Sequence, residues 1–236
     1  MIRLARPALA LALAAVLSPL AAAEDLTVVS KVTVGDKSGT STQYMSSTKS
    51  KSSDAENDTI IDFPTGAMTF IEHKSKSYWQ TTLEEMASYM DRLYRDVKDN
   101  PMLAGMFGGD EPVTVTKGKG SRKIAGYACD DYTLKMGDNF VFDICAAPAL
   151  QPPPQYYEGR KLSYAAMGPA GKRFSKMFDE MKKIKGYPLA SDMDVDMGMM
   201  KIRSTSEATE VKKGAVPAST FEVPAGYKKK KSPFQR

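Results

Sequence analysis

The sequence predicts an α+β domain, in which many short antiparallel strands are interleaved with two or three amphipathic helices. Three observations carry this. Alternating, β-branched runs recur along the chain, one strongly periodic helical stretch follows Thr82, and Gly, Pro and Ser clusters punctuate the sequence at short intervals. No internal repeat and no second-domain linker stands out.

The 236 residues open with MIRLARPALALALAAVLSPLAAA, where Arg3 and Arg6 precede an Ala/Leu run that closes on Ala21-Ala22-Ala23. That is the layout of a secretory signal peptide with an A-x-A cleavage site. The expectation is therefore a periplasmic or secreted protein after cleavage near Ala23. No Cys follows the site to take a lipid anchor, and no later run reaches the roughly 20 apolar residues of a membrane span. The predicted organisation is a signal peptide over 1–23, one α+β domain over 24–227 and a basic tail over 228–236.

LTVVSKVTV, residues 26–34, reads as the first strand and residues 41–46 as a polar second one. STKSKSSDAEND, residues 47–58, has no apolar anchor and reads as a turn-rich connection. TIIDFPTGAMTFIEHKSKSYW, residues 59–79, then gives a three-strand meander. Its first turn is Pro64-Thr65-Gly66, where Pro presets one backbone angle and Gly accepts positive φ, and its second is Lys74-Ser75-Lys76. Thr82 opens a helix with Glu85 three positions on, a capping box. Leu83, Met86, Ala87, Met90, Leu93, Tyr94 and Val97 follow on one face, and Asn100-Pro101 ends the helix before the apolar connection MLAGMFGG.

A second group of strands runs from Val113 to Cys145, interrupted near Lys117–Gly120 and closed by Pro152-Pro153-Pro154. Leu162–Met167 and Arg173–Ile184 read as helical, the latter with Phe174, Met177, Phe178 and Met181 on a shared face. The closing third returns to strands over Tyr187–Ile202, Thr205–Val211 and Thr220–Val223.

Two cysteines in an exported chain are expected to pair. Folding a hairpin about Met136-Gly137-Asp138 sets Lys135 opposite Asn139 and Cys129 opposite Cys145, so a cross-strand disulfide is expected at the usual ~4.4–6.8 Å between Cα atoms. Two reduced, buried thiols are the alternative. With no C-x-x-C present, a redox role is disfavoured.

Charge gives little direction. Without Arg3 and Arg6 the chain holds 31 Lys/Arg against 28 Asp/Glu, and five of those cations lie in the last ten residues. The body is thus close to neutral, which offers no electrostatic case for nucleic acid. Lys228–Lys231 would favour an anionic lipid surface, but a solvated, frayed tail is the simpler reading.

No catalytic residue is expected. His73, the single histidine, lies at a strand end before Lys-Ser-Lys, and reads as an exposed turn position without partners; no G-x-S-x-G or H-E-x-x-H occurs. Trp79, the single tryptophan, reads as an anchor between its strand and the helix that follows. One His and two hairpin cysteines make no zinc set, and no metal or other cofactor is expected. Asp192-Met-Asp194-Val-Asp196 resembles the start of a calcium loop, yet Met197 and Arg203 stand where that loop requires Gly and Glu. Period-two alternation explains it better, with three Asp on one strand face and Met193, Val195, Met197 and Met199 on the other. The 15 methionines, four of them in MDVDMGMMK (193–201), admit a soft Cu(I) site, although Met more often fills adaptable apolar interiors.

The phrases GDKSGTSTQYM, TIIDFPTGAMTFIEHKSKSYW, TLEEM, KIAGYACDDYTL, KIKGYPL and VPASTFEVPAGYKK carry a resemblance that runs from residue 35 to 229. They look like a family of secreted bacterial proteins known as a domain of unknown function. That family is similar in turn to the lipoprotein-carrier superfamily of LolA and LolB. The resemblance implies an incomplete antiparallel β-barrel wrapped round helices that lid an apolar cavity, with no catalytic residues to carry over.

The first functional reading is therefore a non-enzymatic protein binding a lipid, acyl chain or other hydrophobic ligand. Met86, Met90, Leu93, Phe174, Met177 and Met181 are the expected lining. A transient envelope-protein partner is also expected. A structural or envelope interaction protein with a filled barrel is the second reading, and a Met-based copper handler the third.

Overall fold

The computed structural model describes residues 24–97, 112–196 and 201–235. Among these residues twelve strands form one sheet. They are β1 (Leu26–Val34), β2 (Lys37–Met45), β3 (Lys49–Ser53), β4 (Asn57–Asp62), β5 (Ala67–Glu72), β6 (Ser77–Thr82), β7 (Val113–Ile124), β8 (Tyr127–Met136), β9 (Phe140–Ala147), β10 (Tyr187–Asp196), β11 (Lys201–Lys213) and β12 (Lys228–Lys229). Their spatial order is β12-β6-β5-β4-β3-β2-β1-β11-β10-β9-β8-β7. All neighbours are antiparallel except β12, which runs parallel to β6. The sheet does not close, and β7 and β12 are its edges. Among the described residues three helices, α1 (Leu83–Val97), α2 (Pro154–Ala165) and α3 (Gly168–Met181), pack against one another and against the sheet. This is the α+β, incomplete antiparallel barrel that the sequence predicts.

The meander forms for the reasons its residues suggest. Asp62 Oδ1 accepts from the Thr65 N–H at 3.1 Å and from its hydroxyl at 2.6 Å, while Gly66 takes φ 66° and donates to the Asp62 carbonyl at 2.9 Å. The capping box closes reciprocally. Glu85 N–H donates to Thr82 Oγ1 at 3.1 Å, and Thr82 N–H donates to Glu85 Oε2 at 3.2 Å.

This half of the sheet is covered on both sides. Ile61, Met68 and Phe70 join Met86 and Ala87 of α1 in one cluster, whereas Ile60, Ile71 and Tyr78 meet Phe221, Val223 and Tyr227 in another. Adjacent residues on one strand point to opposite faces, so Ile60-Ile61 and Phe70-Ile71 serve both clusters. In the other half, Leu134, Met136 and Phe140 pack on Met177 and Phe178 of α3.

Several expectations are corrected. The segment 47–58 contains β3, paired with β2 on one side and β4 on the other. The region near Lys117–Gly120 is no break between strands; β7 runs through it with a shift of register between Lys117 and Ser121. Residues 220–223 form no strand, since Ala218–Phe221 is a 3-10 turn started by Pro217. The first helix of the second half starts at Pro154 and not at Leu162, because Pro at the first helical position gives up an N–H that has no intrahelical partner anyway.

The hairpin β8–β9 closes with Met136 opposite Phe140, two positions away from the predicted register. An even slip keeps each side chain on its face. Cys145 therefore stands opposite Asp131 while still bonding Cys129 on the diagonal, with Cα atoms 5.3 Å apart. The disulfide forms, although its partners are not directly opposed.

The basic tail is docked. Lys228 N–H donates to the Lys76 carbonyl at 2.9 Å and Lys230 N–H to the Tyr78 carbonyl at 2.7 Å. Beyond them Ser232 is buried and Phe234 packs edge-on against Trp79 at 5.6 Å and tilted against Tyr89 at 5.2 Å. Trp79 also stacks on Phe70 at 4.0 Å, and Phe234 links it to Tyr89 of α1. The C-terminal segment thus crosses one face of the sheet at Phe221 and Tyr227, rounds the β6 edge as β12 and ends on the helix side.

Candidate functional site

The site is built on α2. Tyr156, Arg160 and Tyr164 are spaced by four and share one helical face. Gly159, beside them, is buried against the Phe63 ring: a Cβ there would lie 2.2 Å from Phe63 Cδ1. The absence of a side chain lets α2 settle onto the β4–β5 turn.

Between α2, α3 and the sheet lies a cavity of about 280 Å³. Ligand pockets generally start at about 300 Å³, so it is a small one. Phe140, Phe142 and Met193 line it from the sheet, and Met177, Phe178 and Met181 from α3. Tyr156, Tyr157, Arg160 and Tyr164 of α2 and Tyr187 complete the apolar and aromatic wall. Ser30, Ser191 and Ser206, from three adjacent strands, supply small polar groups, Ser191 and Ser206 being directly paired across the ladder.

Among the described residues Arg160 is the one charged residue in that wall. Its guanidinium carbon stands 5.7 Å from the centre of the Tyr156 ring and 5.9 Å from that of Tyr164. Tyr156 first, then Tyr164 and Tyr187, hold its pKa above the ordinary guanidinium value against the opposing effect of burial. Burial raises the Tyr157 and Tyr187 phenols well above their usual range, so both stay neutral. Tyr157 donates its hydroxyl to the Gly186 carbonyl at 3.2 Å.

The expected lining residues divide. Met177 and Met181 border the cavity. Met86 and Met90 do not, since they pack with Met68 and Ala166 in a separate cluster. Leu93 is 38% exposed. The Phe174 side chain lies outside the described residues, as do Met197, Met199 and Met200 of the methionine cluster. Helical periodicity shows which face is apolar but not which strands that face meets: the α1 stripe covers β4 and β5, the α3 stripe β8 and β9. Sequence reasoning misses the tyrosines and Arg160 because the triple proline reads as a break, although their four-residue spacing is visible once the helix is extended back to Pro154.

A family model described as a domain of unknown function, DUF4412, matches residues 30–227.

The chain belongs to the DUF4412 family.

No curated protein sequence matches this DUF4412 chain. Among solved structures it is similar to an uncharacterised conserved protein from Thermus thermophilus, with TM-score 0.50 and 6% identity over 89% of this chain and 92% of that one. At that identity the likeness is one of fold. It is also similar to a chain of the Pseudomonas aeruginosa MucA/MucB complex, with TM-score 0.40 and 9% identity over 86% of this chain and 56% of that one. A domain assigned to an outer membrane lipoprotein-sorting protein from Vibrio parahaemolyticus matches with TM-score 0.22 and 8% identity over 84% and 89% of the two chains.

Two other polar features of the DUF4412 domain contrast with the cavity. A groove of about 670 Å³ is lined by Lys31, Arg122, Asp131, Asp143, Asp192 and Glu207 together with Thr and Ser side chains. It is larger, but its mixture of both charge signs suits water better than an apolar ligand. Elsewhere His73 is only partly exposed and is held by two partners, which corrects the expectation of an unpartnered turn residue. Its Nδ1 lies 2.9 Å from the Tyr227 hydroxyl and its Nε2 3.2 Å from Asp58 Oδ1. The second approach is within ion-pair range but poorly aligned, so Oδ1 stays buried without a hydrogen bond, while Lys51 Nζ reaches Oδ2 at 2.8 Å. A carboxylate and a phenol orient this imidazole, and no Ser, Cys or Thr nucleophile is among its partners.

Proposed function

We propose that this is a non-enzymatic, exported binding protein that holds the apolar part of one lipid or other hydrophobic ligand between α2, α3 and the sheet. The observation that carries the reading is the lining: aromatic rings and the thioethers of Met177, Met181 and Met193 surround an interior volume of about 280 Å³. Met side chains adapt to ligands of varied shape, and few convergent polar groups on an apolar wall are the usual form of such a site. Export is supported by the leader-like residues 1–23 and by the Cys129–Cys145 disulfide, a bond that persists in oxidising compartments. The non-enzymatic reading is supported by the partners of His73, which fasten it within the fold.

Native mass spectrometry of protein released gently from the periplasm tests this. The wild type is expected to carry a lipid-sized adduct, and Ser191→Phe, which fills the cavity from the sheet side, is expected to lose it. A bare polypeptide mass for the wild type, with no uptake of added fatty acid or phospholipid, overturns the proposal in favour of a barrel packed by its own side chains.

A further inference from the structure

We propose that Arg160 recognises the headgroup of the ligand and that the ligand is a single-chain amphiphile ending in an oxyanion, a carboxylate or a phosphate monoester. This rests on the cavity reading above and adds the ligand's charge and class to it.

The first observation is an imbalance of charge. An arginine is permanently cationic, and among the described residues the cavity wall contains no Asp or Glu. Among the described residues no carboxylate lies within ion-pair distance of Arg160, although the outward-facing cations of the same region are supplied. Lys161 meets Asp179 at 2.7 Å, Lys182 meets Glu158 at 3.2 Å, and Lys183 meets Glu180 at 2.5 Å. The inward cation alone of these four lacks a counter-charge within the described residues.

The second observation is how that cation is held. Two ring faces, Tyr156 and Tyr164, flank the guanidinium at 5.7 and 5.9 Å, which partly offsets its desolvation and restricts its motion. Tyr164 also accepts a hydrogen bond from the guanidinium, but one phenol oxygen takes up only part of a five-donor fork, so donors remain for an incoming oxyanion. The neighbouring phenols of Tyr157 and Tyr187 are neutral and present no competing anion. Residues from β9, β10 and α3 then provide a greasy channel for a tail, with Met177, Met181 and Met193 as its adaptable wall. The cavity's size suits one chain and not a diacyl lipid.

The test compares three 12-carbon probes, dodecanoate, dodecyl phosphate and 1-dodecanol, by calorimetric titration of the mature protein at neutral pH. Both anions are expected to bind the wild type at least about tenfold more tightly than the alcohol, the scale of a charge-assisted contact. Arg160→Gln is expected to bring all three within about twofold of one another by removing that contact. Arg160→Lys keeps the charge but not the fork, and is expected to retain part of the preference. Alcohol binding that survives in Arg160→Gln shows that the variant is folded. The relative affinity of the two anions identifies which headgroup is preferred, and either result supports the proposal. Equal binding of all three probes by the wild type, or an anion preference that survives in Arg160→Gln, overturns the headgroup assignment while leaving the cavity reading intact. Failure of all three to bind the wild type removes the cavity reading and this inference with it.

Discussion

His73 Nδ1 and the Tyr227 hydroxyl meet at 2.9 Å across 154 residues of sequence, fastening the C-terminal segment to the meander. Beneath that contact lies Asp58, whose side chain is 2% exposed and bonded to Lys51. Burial pushes the Asp58 carboxyl up, but hydrogen bonding from Lys51 and Ser53, the Lys51 charge and the approach of His73 together bring it below its ordinary value of 3.8. A carboxyl depressed by folding stabilises the native state above its unfolded pKa, and that contribution is lost as pH falls through the lower, folded value.

Wild-type stability is therefore expected to fall below about pH 4 with a component that Asp58→Asn removes. At neutral pH the same substitution leaves Lys51 unpaired and is expected to cost about 3 kcal/mol, as breaking a buried pair does. Urea midpoints collected between pH 3 and 7 check both. An unchanged acid slope in Asp58→Asn would falsify the role given to this carboxylate.

Trp79 is the only tryptophan, so intrinsic fluorescence reports directly on the docked terminus. Phe234→Ala removes its edge-on neighbour and opens the indole to water. A red-shifted emission is expected, with a stability loss of about 1–2 kcal/mol because Phe234 is only partly buried. Unaltered emission would show that the terminus does not sit on Trp79 in solution.

The Cys129–Cys145 bond closes a loop with sequence separation 16, for which chain-entropy reasoning gives about 3 kcal/mol. The double variant Cys129→Ala/Cys145→Ala is expected to lose roughly that amount in a denaturant titration. Thiol titration of the unfolded, unreduced wild type should find no free sulfhydryl, and two equivalents would refute the bond.

Gly159→Ala tests the seat of α2. Because the added Cβ would meet the Phe63 ring at 2.2 Å, the helix or the ring must move. A loss of about 1–3 kcal/mol is expected despite alanine's better helix propensity, and Phe63→Leu combined with Gly159→Ala should recover part of it. A neutral or stabilised single variant would mean that α2 rides higher than described.

What was legible in the sequence was local. The Pro64-Thr65-Gly66 turn, the Thr82/Glu85 box and the approach of the two cysteines each follow from a few neighbouring residues, and each is present. β3 was not legible, because KSKSS has no β-branched or aromatic residue; its strand conformation comes from the two ladders beside it, and Ser50 is buried between them. Nor was the docked tail, since four lysines look solvated. Their backbone completes the sheet edge while the charged heads stay exposed, and the burial falls to Ser232 and Phe234 beyond them. The cavity needed tertiary information of a further kind, namely which helix lies on which strands, and that separated Met177 and Met181 from Met86 and Met90.

An open sheet faces a hazard that a closed barrel avoids: each bare edge can template growth by another copy. The two ends of this sheet answer it differently. Along β7 the sequence VTVTKGKGSRKI places Lys117, Lys119, Arg122 and Lys123 with no acidic residue between them, so two such edges brought together would meet cation to cation. At the other end the chain spends its own last strand on β6. Residues 228–235 thus cover the β6 edge, and removing them would leave that edge open to pairing with another copy.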